Sequence, residues 1–139
     1  MADLDMGRQL KLGTSIAHAQ ITATTTGSEV DCTGAKEVTI AVYVSANTTS
    51  DSTNYVTFTV TNSDATGGTF DAVSSDQYDP VNSWDRVLNA TTETGWFVFN
   101  FHLTPGHPFI KVVGTETGTT DITYSAHVIE RAKDQPQVS

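Results

Sequence analysis

Apolar and polar residues alternate along most of this chain. In KEVTIAVYVSA the residues Val38, Ile40, Val42 and Val44 fall on one side, and Thr39, Ala41, Tyr43 and Ser45 on the other. That period of two is the mark of a strand with one face against a core. NYVTFTVTN repeats the pattern with Val56, Phe58 and Val60 on the inward side. GWFVFNFHL is apolar on both faces from Trp96 to Leu103, PFIKVV and DITYSAHVI complete the set, and an earlier strand is expected within SIAHAQITATT. From Ile110 to Ile129 the chain reads as two strands joined by a Gly- and Thr-rich turn, with Thr, Tyr and aliphatic residues in place of catalytic groups.

The connections SANTTSDSTN, NSDATGG, SSDQYDPVNSWD, NATTETG, TPGHP and GTETGTT are rich in residues that end strands, through positive-φ glycines and side-chain bonding to the backbone. Helical spacing of apolar residues recurs only weakly, in MGRQLKL. Short strands at this spacing predict an all-β fold, a single antiparallel β-sandwich or jelly-roll-like domain. Its expected core contains Val38, Ile40, Val42, Val56, Phe58, Trp96, Val98, Ile122 and Tyr124. The polar ends divide the chain into an N-terminal arm over 1–13, the sandwich over 14–130 and a C-terminal tail over 131–139, and both ends are expected to be loose in an isolated molecule.

Length supports one domain: 139 residues suffice for a core without disulfide or metal staples. The single cysteine, Cys32, rules out an internal disulfide framework and reads as a reduced, buried small apolar residue. A net charge of −9 with only seven Lys and Arg repels a phosphate backbone, so nucleic acid is not an expected partner. MADLDMGRQLKLG lacks the apolar run of a signal peptide and no stretch is long and apolar enough for a membrane span, so synthesis in a cytoplasm and no membrane partner are expected. The triplets Asn47-Thr48-Thr49 and Asn89-Ala90-Thr91 match glycosylation acceptors, as chance provides in a chain this rich in Ser and Thr.

Candidate chemistry is sparse. His102 and His107 sit close together in FHLTPGH, but no HExxH or His-x-His pair supplies further metal ligands. Asp71, Asp76, Asp79 and Asp85 are hard oxygen donors suited to calcium, but their spacing departs from the regular calcium loop and fits solvated turns. No G-x-S-x-G elbow is present, and paired carboxylates for glycoside hydrolysis have no spacing signal in a β fold. No catalytic residue, cofactor or metal ligand is assigned. Trp84 and Trp96 would make a sugar-stacking platform if both were exposed, since aromatic faces flanked by acids and amides suit carbohydrate. Trp96 opens the most apolar strand and reads as core. Trp84, in a polar loop beside Pro80, is the better contact residue.

Taken together, the short polar leader, TGAKEVTIAVYVSA, the central Tyr78-Asp79-Pro80 and Trp84 loop, GWFVFNF and the closing IKVVGTETGTTDITYSAHVIERAKDQP resemble the small head decoration, or cement, proteins of tailed bacteriophages. The likeness spans roughly Lys36 to Pro136 and lies in strand order and style. It implies a non-enzymatic β-sandwich made in the host bacterial cytoplasm and displayed on the outside of the capsid, where it clamps adjacent major capsid protein subunits, often as trimers. No functional residue carries over individually. A homo-oligomer, preferably a trimer, is also expected because WFVFNF is too apolar on both faces to leave one in water.

The arm is the expected attachment element. Thirteen extended residues reach about 40 Å; Leu4, Met6, Leu10 and Leu12 supply apolar anchors, and Arg8 and Lys11 supply cations for acids on a partner. The rival functions are a carbohydrate- or receptor-binding module centred on Trp84, and a tail or head–tail component of the particle.

Overall fold

The computed structural model describes residues 10–132, with the backbone alone for Leu10, Lys36, Arg131 and Ala132. Within that range the chain is an all-β sandwich of antiparallel sheets. The strands are β1 (Leu10–Ile21), β2 (Thr25–Thr26), β3 (Val30–Asp31), β4 (Ala35–Asn47), β5 (Tyr55–Ser63), β6 (Asp71–Ala72), β7 (Tyr78–Asp79), β8 (Val87–Leu88), β9 (Gly95–His102), β10 (Phe109–Thr117) and β11 (Ile122–Ala132). The first sheet runs in the order β1-β11-β4-β9-β7. The second is built on the β5–β10 pair, with β2 and β3 beside β10 and β6 and β8 beside β5.

Alternation does what the pattern requires. Val38, Ile40, Val42 and Val44 of β4 face Val56, Phe58 and Val60 of β5 across one core, joined by Ile110, Val112, Ile122, Tyr124, Ala126 and Val128. Phe58 sits near its centre, edge-on to Tyr124 with ring centroids 5.1 Å apart. Cys32 is a free, buried cysteine, and burial pushes its thiol up to about 12. The two strands of 110–129 do not pair with each other. β10 lies in the second sheet and β11 in the first, so the turn between them crosses the sandwich, with Gly118 at φ 75° and the Glu116 carboxylate accepting from the Thr120 amide and hydroxyl at 2.9 Å each.

Two expected core residues are on the wrong side. Trp96 and Val98 are 62% and 57% exposed, and β9 instead turns Phe97, Phe99 and Phe101 inward. The reason is register: antiparallel partners share a face, and the inward residues Val42, Ile40 and Val38 stand opposite Phe97, Phe99 and Phe101. Trp96 and Val98 therefore stand with Tyr43 and Ala41 on the outside.

The strand limits also differ from the expected divisions. β1 begins at Leu10, paired with Arg131, and takes in the last residues of the predicted arm, while β11 runs to Ala132, two residues into the predicted tail. Leu4, Met6 and Arg8 lie outside the described residues.

Candidate functional site

The outer face of the first sheet is an apolar surface assembled from four strands. Trp96 stands opposite Tyr43, Val98 opposite Ala41, His127 opposite both Ala41 and Thr14, and Ile129 opposite both Leu12 and Thr39. Leu12 is 74% exposed. A concavity of about 400 Å³ opens here, lined by Leu12, Thr14, Ala41, Trp96, His127 and Ile129. The Trp96 ring is braced from within the sheet, 4.9 Å from the Tyr43 ring and 5.8 Å from His127. His127 is held in turn by hydroxyls, with Thr14 Oγ1 3.2 Å from Nδ1 and Ser125 Oγ 2.9 Å from Nε2. The side chains lining the concavity are uncharged, and the exposed Glu37 and His102 stand farther along the same face.

Lys11 and Leu12, two predicted contact residues, meet at the edge of this face on β1. Leu12 joins the apolar patch. Lys11 turns to the other side, where Nζ donates to the Asp31 carbonyl at 3.2 Å and lies 4.0 Å from Glu130 Oε2. Glu130 is buried, and among the described residues that oxygen has no hydrogen-bond partner. Burial pushes its carboxyl above the usual carboxylate range, with the Lys11 ammonium pulling the other way.

Trp84 occupies a second, adjoining place. It lies 57% exposed on a short 3-10 turn, Ser83–Arg86, whose start is capped by Asn82 Oδ1 accepting from the Trp84 amide at 3.0 Å. The turn is anchored by a residue that sequence reasoning missed. Arg86 is buried; its guanidinium lies 3.7 Å from the Tyr78 ring centroid and donates to the carbonyls of Phe58 (3.2 Å), Pro80 (3.1 Å), Val81 (3.4 Å) and Asn82 (3.5 Å). One cation thereby satisfies a cluster of carbonyls that would otherwise be stranded beneath the loop. Tyr78 is fixed as well, its hydroxyl accepting from the Val60 amide at 2.8 Å. Trp84 leans on Tyr55, with ring centroids 5.5 Å apart. The result is a half-exposed indole on a loop with little freedom to move.

Trp84 and Trp96 then line one cleft of about 390 Å³, together with Asp85, Glu93, Thr94 and Gly95 and with the apolar Val44, Val87, Leu88 and Phe97. Only the first of these two was expected at the surface. Glu93 is oriented by the backbone, its Oε2 accepting from the Asn89 amide at 2.7 Å and the Ala90 amide at 3.2 Å.

The remaining candidates do not converge. Asp71, Asp76, Asp79 and Asp85 are exposed. His102 pairs loosely with Glu37 at 3.5 Å, and His107 Nδ1 lies 3.2 Å from the Pro105 carbonyl. Among the described residues no three or more His, Cys, Asp or Glu side chains are grouped to hold a metal ion, and no helix is long and apolar enough to cross a membrane.

No family model matches the chain, and no curated protein matches it. Among solved structures it is similar to the SPBc2 prophage-derived protein YomS, at 16% identity and a TM-score of 0.46, covering 87% of this chain and 95% of that one. It is also similar to a structure of the infectious bursal disease virus Gx strain, at 15% identity and a TM-score of 0.46, covering 92% of this chain and 33% of that one. Bacillus endospore appendages, which form a family of disulfide-linked pili, match at 12% identity and a TM-score of 0.40, over 89% and 90% of the two chains. Likeness of this degree assigns the chain neither a role nor a partner.

Proposed function

We propose that this chain is a non-enzymatic structural protein of a tailed-phage particle that attaches to the outside of the capsid and cements adjacent major capsid protein subunits. The observation that carries this reading is the outer face of the first sheet, where Leu12, Trp96 and Val98 are each more than half exposed. A domain that spent its life alone in water would carry polar residues there. The resemblance in sequence supplies the partner. The mechanism is mass action: each bound copy stabilises the assembled shell over its separated subunits, by about 2.7 kcal/mol when free protein stands a hundredfold above its dissociation constant.

In this reading the sheet face supplies affinity and residues 1–9 supply reach. Leu4 and Met6 extend the apolar series that Leu10 and Leu12 begin, and Arg8 adds a cation. The favoured assembly is a trimer, with each arm lying along a neighbour. The net charge of −9 keeps free copies apart until a shell gathers them.

Cosedimentation with particles stripped of this protein tests the proposal. Trp96→Asp and Val98→Asp should each remove most binding while leaving the domain folded, because neither side chain contributes to the core. Deleting residues 2–9, which spares β1, should weaken binding without abolishing it. Undiminished occupancy in both Asp variants would reject the sheet face as the attachment surface.

A further inference from the structure

The cleft between Trp84 and Trp96 reaches the core at Val44 and Leu88 and shares Trp96 with the outer face of the first sheet, and its construction is that of a ligand site. Its volume of about 390 Å³ falls at the small end of the ~300–1,000 Å³ usual for small-ligand clefts. Its aromatic walls come from separate parts of the fold, Trp84 from the loop pinned by Arg86 and Trp96 from the start of β9. Each indole is braced by its own tyrosine, Tyr55 for Trp84 and Tyr43 for Trp96, and each is still more than half exposed. Rings held in this way are ordered before any ligand arrives, so binding costs little side-chain entropy. Between the rings, polar groups with different freedoms line the cleft: Asp85 is exposed, while Glu93 is fixed by two backbone amides. Gly95, at φ 90°, leaves the backbone bare, since a Cβ there would meet nothing within 4 Å.

We infer that this cleft binds a neutral glycan, one pyranose ring or two, with C–H faces on Trp84 and Trp96 and hydroxyls donating to Asp85 and Glu93. The lining selects this class over others. A wholly apolar occupant would match Val44, Val87, Leu88 and Phe97 but would strip water from two carboxylates without replacing their hydrogen bonds. An anionic occupant would meet those carboxylates and a chain of net charge −9. A cationic one would be drawn to the same two carboxylates, Glu93 keeping Oε1 open beside the amide-bonded Oε2, and its release by salt tells it apart from a sugar. A sugar matches both parts of the site, because its ring presents an apolar face and its edge presents donors.

This inference stands apart from capsid attachment, and Trp84→Ala separates the two, since Trp84 lies off the sheet face whereas Trp96 belongs to both surfaces. The experiment follows tryptophan fluorescence of the full chain titrated with neutral hexasaccharides of glucose, mannose and N-acetylglucosamine. A sialylated oligosaccharide and an arginine-rich peptide serve as the charged probes. At least one neutral probe should give a saturable change that survives a rise in salt from about 50 to 500 mM, as an uncharged contact must. Trp84→Ala and Trp96→Ala should each weaken it at least tenfold, Trp84→Phe should retain most of it, and capsid cosedimentation of Trp84→Ala should match the wild type. The inference is overturned if no neutral probe saturates by about 10 mM, weaker than any millimolar site. It is equally overturned if the arginine peptide is the one that binds and is released by salt, or if binding persists in Trp84→Ala.

Discussion

At the middle of the outer side of β5 and β10 the cross-strand pairs are Thr57 with Thr115, Thr59 with Val113 and Thr61 with Lys111, flanked by Tyr55 with Thr117 and Ser63 with Phe109. On the outer side of β4, β9 and β11 the matching positions hold Tyr43 with Trp96, Ala41 with Val98, and Ala41 with His127. Behind them the inner faces are alike, both packed with Val, Ile and Phe. Threonine suits a pleated surface in water because its methyl covers the sheet while its hydroxyl stays solvated. Phe70, near the second sheet, is covered by Lys111 with Nζ 4.3 Å from the ring centroid, and the exposed Trp84 meets that sheet only at its end, against Tyr55. Trp96, by contrast, is 62% exposed. Two sheets of one small domain thus meet the same demand inside and different demands outside. The inner faces report folding; the difference between the outer faces reports function.

The largest test sets the two faces of β9 against each other. Phe99→Ala should cost about 3–5 kcal/mol, the usual range for emptying a buried aromatic site, whereas Val98→Ala should stay within about 1 kcal/mol. Urea denaturation of both variants measures the gap, and equal costs would undo the assignment of faces.

The same strand shows what was legible in the sequence. β4 and β5 alternate cleanly, so their inner faces follow from pattern alone. GWFVFNFH does not alternate near its start, and the bulk of Trp96 argues for burial in isolation. The correct parity was present a few residues later: Asn100 and His102 share a face with Trp96 and Val98, and the opposite set, Phe97, Phe99, Phe101 and Leu103, is wholly apolar. The start of β1 was hidden for the converse reason, since Leu12 faces out and a search for core residues passes over it. Arg86 left no local trace. Its role depends on carbonyls from Phe58 and from 80–82 that only the fold brings together. Half of the Trp cleft was therefore readable, Trp84 from its polar loop, and the other half waited on the register of β9.

Removing Arg86 probes the joint between the sheets, because it ties the Trp84 loop to the Phe58 carbonyl of β5. Arg86→Met keeps the bulk but strands the carbonyls, and should lower stability by about 2–4 kcal/mol. Thermal unfolding reads the loss, and fluorescence anisotropy should show Trp84 moving more freely. Unchanged values for both would mean the loop holds itself.

A smaller effect concerns the one buried acid on the inner side of β11. Burial raises the Glu130 carboxyl in the folded state, so the folded protein holds that proton more tightly than the unfolded one, and stability is lost as pH rises above the ordinary carboxylate value of 4.5. Glu130→Gln should remove this loss, gaining on the order of 1 kcal/mol at pH 7 and nothing near pH 4. Glu29, Asp31 and Asp51 act in the opposite sense: hydrogen bonds from Thr66, Thr33 and Thr53 respectively hold them below their usual range, so what they contribute is lost as pH falls. A Glu130→Gln gain that is the same at both pH values would point to packing and not to charge.

The threonine face should tolerate a charge. Thr59→Asp on the second sheet should leave both stability and particle binding close to wild type, because that face is already adapted to water. Loss of particle binding in this variant would make the two outer faces equivalent.

Electron cryomicroscopy of particles saturated with the protein shows which face meets the shell. Density for the sandwich is expected on the outside of the head, with the Leu12, Trp96 and Val98 face against the shell and the threonine face of β5 and β10 toward solvent. Density confined to the tail, or a sandwich seated on its threonine face with Trp96 and Val98 in open solvent, would contradict that arrangement.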